Sequence, residues 1–261
     1  MVAEPAPPLS ITWSGAPRQE LLVTIELARP ASVEQLAELE RAVAMFAALG
    51  SHGAFPRATV SPTDSSMALA RADGHSPTRL AFVIMAQQVD LRAFQLVRHV
   101  AWKWGARVQP VRAVVVLDRT EGHHARAIDV PDITWGNEEA VYPPLSQLLQ
   151  VRVERDDPAD YHKERRCVIE FGRRVPQYVF ETVNEYIAAW VALVSDGAFG
   201  PPVRPAFEAE VWQASLGPYD EYSAELALSL FEASELAWNP LVNCLQRYSE
   251  AVEPVTLVTI E

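Results

Sequence analysis

A short stretch near residue 50 comes back 144 residues later. Ser51-His52-Gly53-Ala54-Phe55 returns as Ser195-Asp196-Gly197-Ala198-Phe199. At the same offset Ile25-Glu26 matches Ile169-Glu170, Arg29 matches Arg173, Ala44 matches Ala188, and Ala48-Leu49 matches Ala192-Leu193. Residues Leu22–Phe55 laid on Arg166–Phe199 without a gap give ten identities in 34 positions. Such a repeat constrains the fold strongly, because a duplicated unit must repeat its own secondary-structure plan. The repeated stretch lacks a Gly-rich run and a following Lys-Ser/Thr pair, so it is not a phosphate loop. Gly53 and Gly197 read as turn residues, and Phe55 and Phe199 as core plugs.

The periodicity around the repeat fills in that plan. Leu9–Trp13 alternates apolar and polar residues, and Glu20–Ala28 is rich in β-branched residues, so both read as strands. Ser32, with Gln35 three residues on, opens a helix whose apolar face is Leu36, Leu39, Val43 and Phe46. Ala58–Val60 and Ser66–Ala70 are weaker strand candidates, and Arg79–Met85 reads as a buried central strand. Asp90 caps a second helix along Leu91, Phe94, Val97, Ala101 and Trp104, and Val111–Leu117 closes the first unit. Residues 119–148 follow no period and read as a linker. The second unit repeats the order with strands at Val151–Glu154 and Arg166–Phe171, then a helix from Pro176 through Val194. A hairpin of Phe207–Trp212 with Ala224–Leu230 follows, joined across Gly217–Tyr222. A helix opened by Asn239-Pro240 and a strand Val255–Ile260 end the unit. The expected fold is α+β, with two tandem ferredoxin-like lobes (β-β-α-β-β-α-β) from an internal duplication. Each has an antiparallel sheet with its helices on one face. The lobes span 1–118 and 149–261, and the open sheet faces gain cover by packing together.

Charge separates the lobes. The chain carries a net −12; residues 1–150 contribute −2 and residues 151–261 contribute −10. Within 175–261 only Arg204 and Arg247 oppose 13 acids. A surface of that sign repels nucleic-acid backbones and attracts a basic protein partner. The residues before Leu9 form no signal peptide, and no apolar run approaches a membrane span, so the expected location is the cytoplasm. Cys167 and Cys244 read as free core thiols.

The strongest candidate surface is the acidic hairpin of the second lobe. Glu208 and Glu210 alternate with apolar neighbours and so point outward. Asp220 and Glu221 sit at the tip between Tyr219 and Tyr222, and Glu225 follows on the return strand. Tyrosine beside carboxylate combines an anchor with electrostatic steering. Other candidates reduce to structural readings. His123-His124 belong to a polar loop; no cofactor and no metal is expected. His99 lies off the apolar stripe of its helix and is expected to face solvent. Tandem ferredoxin-like haem enzymes of the chlorite dismutase kind take an axial His from the second lobe, where this chain has only His162, in an expected turn. Gly-x-Ser-x-Gly, His-Glu-x-x-His and Cys-x-x-Cys are all missing from the sequence.

In its two-lobed α/β plan over residues 9–260, its acidic second lobe and its want of a catalytic motif, the chain resembles the immunity proteins of polymorphic and type VI toxins. The resemblance is to those that neutralise nuclease toxins of restriction-endonuclease fold. It implies a one-to-one inhibitor that occludes the toxin's active cleft or seizes a surface the toxin needs to oligomerise. Two other functions fit the sequence. A dimeric α+β barrel-type enzyme or small-ligand binder would use a pocket lined by Trp13, Trp102, Trp104 and Trp212. An adaptor subunit would present sheet edges or an apolar patch.

Overall fold

A computed structural model of the chain describes residues 6–129, 149–153, 165–196, 198–199, 213–229 and 237–261. The first lobe runs β1 (Leu9–Trp13), β2 (Arg18–Leu27), α1 (Val33–Ser51), β3 (Ser66–Ala72), β4 (Arg79–Gln87), α2 (Phe94–Arg107), β5 (Val111–Asp118) and β6 (Arg126–Ile128). The second runs β7 (Val151–Val153), β8 (Arg165–Phe171), α3 (Gln177–Ser195), β9 (Gln213–Pro218), β10 (Ser223–Ser229), α4 (Trp238–Ala251) and β11 (Val255–Ile260). The fold is α+β, with two sheets in the orders β3-β4-β2-β5-β1-β6 and β7-β11-β8-β10-β9.

The sheets are mixed, where the sequence suggested antiparallel ones. Both edges of β2 are taken, by β4 and β5, so β1 pairs with the far edge of β5 and runs parallel to it. In the second sheet β8 is flanked by β11 and β10, and β7 joins β11 in parallel. Three strand assignments also change. Ala58–Val60 is a turn in which Thr59 takes a φ of 72° and Val60 N donates to Arg57 O. The strand facing β10 is Gln213–Pro218, so Gly217 and Pro218 are strand residues; Phe207–Trp212 lies outside the described residues. The expected linker begins with β6, which pairs with β1.

Local signals set the helix starts. Ser32 Oγ accepts from Gln35 N, and Gln35 Oε1 accepts from Ser32 N at 2.9 Å, a complete capping box. Asp90 caps a single 3-10 turn, Leu91–Ala93, that feeds α2. Pro176 is the N-cap of α3, one position earlier than Pro usually stands.

The turn that ends α1 brings Phe55 into the core beside Phe46 and Phe94, with ring centroids 5.2 Å apart for Phe46–Phe55 and 5.4 Å for Phe46–Phe94. In the second lobe Phe199 meets Trp190, which stacks on Trp238 at 5.2 Å. Each of these aromatic positions lies 144 residues from its counterpart, as do both ends of α1 and α3 and of α2 and α4.

The lobes meet through their helical layers, not through the open sheet faces. Helix α1 packs along α3, and one hydrophobic cluster runs through both lobes. Helices α2 and α4 each reach into the other lobe. His99 Nδ1 bonds to Ala198 O at 3.0 Å, and Asn243 Nδ2 donates to Ala54 O at 3.1 Å. Arg247 Nη1 adds a bond to Ser65 O at 2.6 Å. The Ala54 and Ala198 carbonyls belong to the stretch that the sequence repeats. No helix among the described residues is long and apolar enough to cross a membrane.

Gly53 holds that turn at a φ of 78°, and a Cβ there would meet Pro62 O at 2.3 Å. Gly53→Ala therefore adds a backbone clash to conformational strain and is expected to lower stability by roughly 3 kcal/mol. Gly15→Ala, at a φ of 75° but with nothing within 4 Å, should lower it by only about 1 kcal/mol. Urea denaturation of the two variants checks the difference.

Candidate interaction surface

Strands β9 and β10 form a regular hairpin in which Leu216 faces Leu226 and Pro218 faces Ala224. Its connection is four residues, Tyr219–Tyr222, closed by Tyr219 N donating to Ser223 O at 3.0 Å. Asp220 holds the tip in shape: its Oδ1 accepts from Tyr222 N and from Ser223 Oγ, both at 2.7 Å. An Asx side chain that closes on the backbone two residues ahead fixes a turn without needing glycine. The hydrogen bonds from Ser223 and Tyr222 keep the Asp220 carboxyl below its ordinary range. The tyrosines project from this fixed tip, Tyr219 at 52% and Tyr222 at 55% exposure.

The tip is tied to the rest of its lobe. Tyr222 O accepts from Phe171 N at 2.9 Å, and Glu221 O accepts from Val175 N at 2.8 Å, so it docks on the end of β8. The Glu221 carboxylate lies 3.3 Å from Arg174 Nη2 in an exposed pair. Glu225 lies on the outer sheet face, 3.8 Å from Arg166 Nη1, while Arg166 Nε bonds Glu261. Arg173 Nε donates to the buried Glu253 carboxylate at 2.7 Å, and its Nη2 reaches Tyr178 Oη at 3.5 Å. Tyr178, on the first turn of α3, is 51% exposed.

Five of the seven residues expected in the surface are thus brought together: Tyr219, Asp220, Glu221, Tyr222 and Glu225. Glu208 and Glu210 lie outside the described residues. The sequence reading missed Arg166, Arg173 and Arg174, which strand pairing places among the acids, and Tyr178. The order of β8 against β10 was the signal for them, since antiparallel pairing sets the exit of β8 beside the start of β10.

The remaining candidates lie apart from this surface. Cys167 and Cys244 are free and fully buried, and burial pushes the Cys167 thiol up to about 12. His123 and His124 are exposed, and among the described residues no group of three or more His, Cys, Asp or Glu could hold a metal ion. His162 lies outside the described residues. Trp13, Trp102 and Trp104 have separate surroundings. Trp13 lies under the Arg57 guanidinium, Trp104 donates to Gln35 O, Trp102 borders a 220 Å3 cleft beside Pro7, Pro8 and Pro110, and Trp212 lies outside the described residues. The Arg57 head donates to the carbonyls of Val89, Gly15 and Ala16 and to Gln19 Oε1, which makes it a clasp across three turns.

His99 corrects the expectation of a solvent-facing side chain. It is 2% exposed, because α2 is covered by its own sheet on one side and by the second lobe on the other. A carbonyl can only accept, so Nδ1 carries the proton; Nε2 is left without a hydrogen bond. Burial dominates its titration. It pushes the pKa down to about 4, against the Ala198 carbonyl, which favours the charged form; Lys103 and Arg98 add to the lowering.

No protein-family model and no curated protein matches the chain. Among solved structures, the ferredoxin protease FusC in complex with Arabidopsis ferredoxin aligns over 91% of this chain and 34% of its own, at 12% identity and a TM-score of 0.24. An unknown protein from Galdieria sulphuraria aligns over 94% of this chain and 96% of its own, at 8% identity and a TM-score of 0.19. Pitrilysin aligns over 92% and 37%, at 8% identity and a TM-score of 0.24. The chain thus spans about a third of the length of the two proteases, and at such scores none of these likenesses bears on its fold or activity.

A histidine whose folded pKa lies below its unfolded value leaves the unfolded chain binding more protons, so stability falls as pH drops from about 6.5 to about 4 and levels off below. His99→Asn, which copies the polar group at position 243, is expected to remove a loss of roughly 2 kcal/mol between pH 7 and pH 5. Urea midpoints of both proteins at the two pH values check it; parallel curves would mean that His99 does not set the acid sensitivity.

Proposed function

We propose that this chain is a non-catalytic binding protein that neutralises a basic protein partner through the tip of the β9–β10 hairpin, in the manner of a toxin immunity protein. The observation that carries the reading is the tip itself: two tyrosines more than half exposed, held by the internal hydrogen bonds of Asp220 on a strand pair bonded to β8. A free, rigid tyrosine offers contact area at little entropic cost on binding. Tyr178 widens the patch, and the acids around it exceed the arginines that pair with them. Among the described residues, the deeply buried thiols and Trp13, Trp102 and Trp104 give no centre for chemistry of comparable definition.

The strand order supports a tandem of two ferredoxin-like lobes, and we place the inhibitor in the cytoplasm. Four strands of each sheet, β3-β4-β2-β5 and β9-β10-β8-β11, follow one order, with the lobe's first and last long strands adjacent, and every neighbouring pair among them is antiparallel. The shared 144-residue spacing of helices and plugs supports a common origin for the lobes. The nuclease toxins of the resemblance remain the partner class of choice, since a protein that grips nucleic acid presents the basic surface this lobe complements.

Co-expression with the product of the adjacent gene tests the reading through survival and co-purification. Tyr222→Ala is expected to weaken the complex by about 2 kcal/mol, as an interface anchor does. Reversal of Asp220 and Glu221 to Lys should weaken it further and flatten its dependence on salt. Unchanged affinity of the double reversal in titration calorimetry would place the interface elsewhere.

A further inference from the structure

The first lobe closes the space between α1 and the β3–β4 hairpin with its own imidazole. His75 Nδ1 accepts from Ala81 N at 3.1 Å, its ring lies 5.0 Å from the Phe82 ring, and Nε2 lies 3.5 Å from the Glu40 carboxylate. The counterparts of these residues, 144 positions on, are Tyr219, Leu226 and Asn184. None of them reproduces the closure. Tyr219 is turned out to solvent, Leu226 is smaller than phenylalanine, and Asn184 is uncharged. What remains is a groove of 210 Å3 between α3 and the β9–β10 hairpin, lined by Asn184, Ile187, Ala188, Val191, Leu216 and Leu226 among others.

Size and chemistry select what can enter. An aliphatic cavity of about 150 Å3 holds a benzene molecule, so the groove has room for one ring. Metabolite and cofactor pockets begin near 300 Å3. Its walls are apolar except for Asn184, which can donate to or accept from one polar atom on that ring. Leu216 and Leu226 face one another in the hairpin whose tip carries Tyr219 and Tyr222, so the groove and the tip share one strand pair.

We propose that this groove seats one aromatic side chain of the protein partner, in the place that His75 fills in the first lobe, with its polar atom toward the Asn184 amide. The proposal rests on the binding function above and names the anchor point beside the hairpin. A partner that inserts a tyrosine or histidine here meets an apolar slot on the same hairpin that carries the acids of the tip.

The test uses p-cresol, the side chain of tyrosine, titrated into the full chain and followed by amide NMR. The expected shifts are confined to residues 184–192 and to Leu216 and Leu226, with saturation in the millimolar range. Ala188 is an exposed helix position, and Ala188→Phe fills the groove without touching the core; it should abolish these shifts and weaken the partner complex more than about tenfold. Glu221→Lys, which leaves the turn bonds of Asp220 in place, should weaken the complex yet keep the p-cresol shifts. Shifts scattered over the surface, or unchanged in Ala188→Phe, would overturn the seat. Full partner affinity in Ala188→Phe would also overturn it while leaving the hairpin function standing. A dimer of this chain that Ala188→Phe dissolves would assign the groove to a second copy and overturn the proposal in favour of self-association.

Discussion

Two backbone carbonyls, Ala54 O and Ala198 O, hold this molecule together in a way that its sheets alone could not. Each belongs to a turn that leaves a helix and drives a phenylalanine into its own lobe, and each is captured by a side chain from the other lobe's second helix. A buried carbonyl left unbonded costs about 1–3 kcal/mol, and both turns are fully buried at their Ala-Phe pairs. The exchange therefore satisfies what each lobe would otherwise leave open. It also explains why α2 and α4 are buried on nearly every face, with Gln95, Arg98, His99, Asn243 and Gln246 inside the molecule.

That burial marks the limit of reading helices from periodicity. The apolar stripe of α2 was legible, and it is buried, with Phe94, Val97 and Trp104 against α1; the opposite face was assigned to solvent because a lone lobe would leave it there. Docking of the second lobe supplied the missing environment. Position 243, also polar and also off its stripe, was the available hint: α2 and α4, 144 residues apart, each keep a hydrogen-bonding side chain where they meet the other lobe's turn. The capping box at Ser32, the order of the elements and the Phe55 and Phe199 plugs were readable because they depend on neighbours in sequence. Strand β9 was misplaced, and β6 missed, because short strands are defined by their partners and not by their own pattern.

The hairpin surface shows the same division. Its tyrosines and acids were legible as an outward-facing tip, since turn chemistry at Asp220 is local. The balance of charge around it was not. A count along the chain sets 13 acids against two arginines, yet pairing of β8 beside β10 inserts Arg166, Arg173 and Arg174 among them. The surface is an acidic field patterned by cations, and such patterning selects partners more sharply than uniform charge does.

The crossed carbonyl bonds also dictate how the chain must fold. The Asn243–Ala54 contact joins residues 189 apart, and Arg247 reaches Ser65 over 182. Contacts of that separation form last and slow the search for the native state. The first lobe can assemble its sheet early, but its α1 face stays uncovered until α3 arrives, and its turn until α4 does. Until then it is an unfinished half exposing a hydrophobic helical layer, a state prone to pairing with another chain's half. Joining both halves in one polypeptide raises their effective concentration for one another and makes the correct match the fastest one.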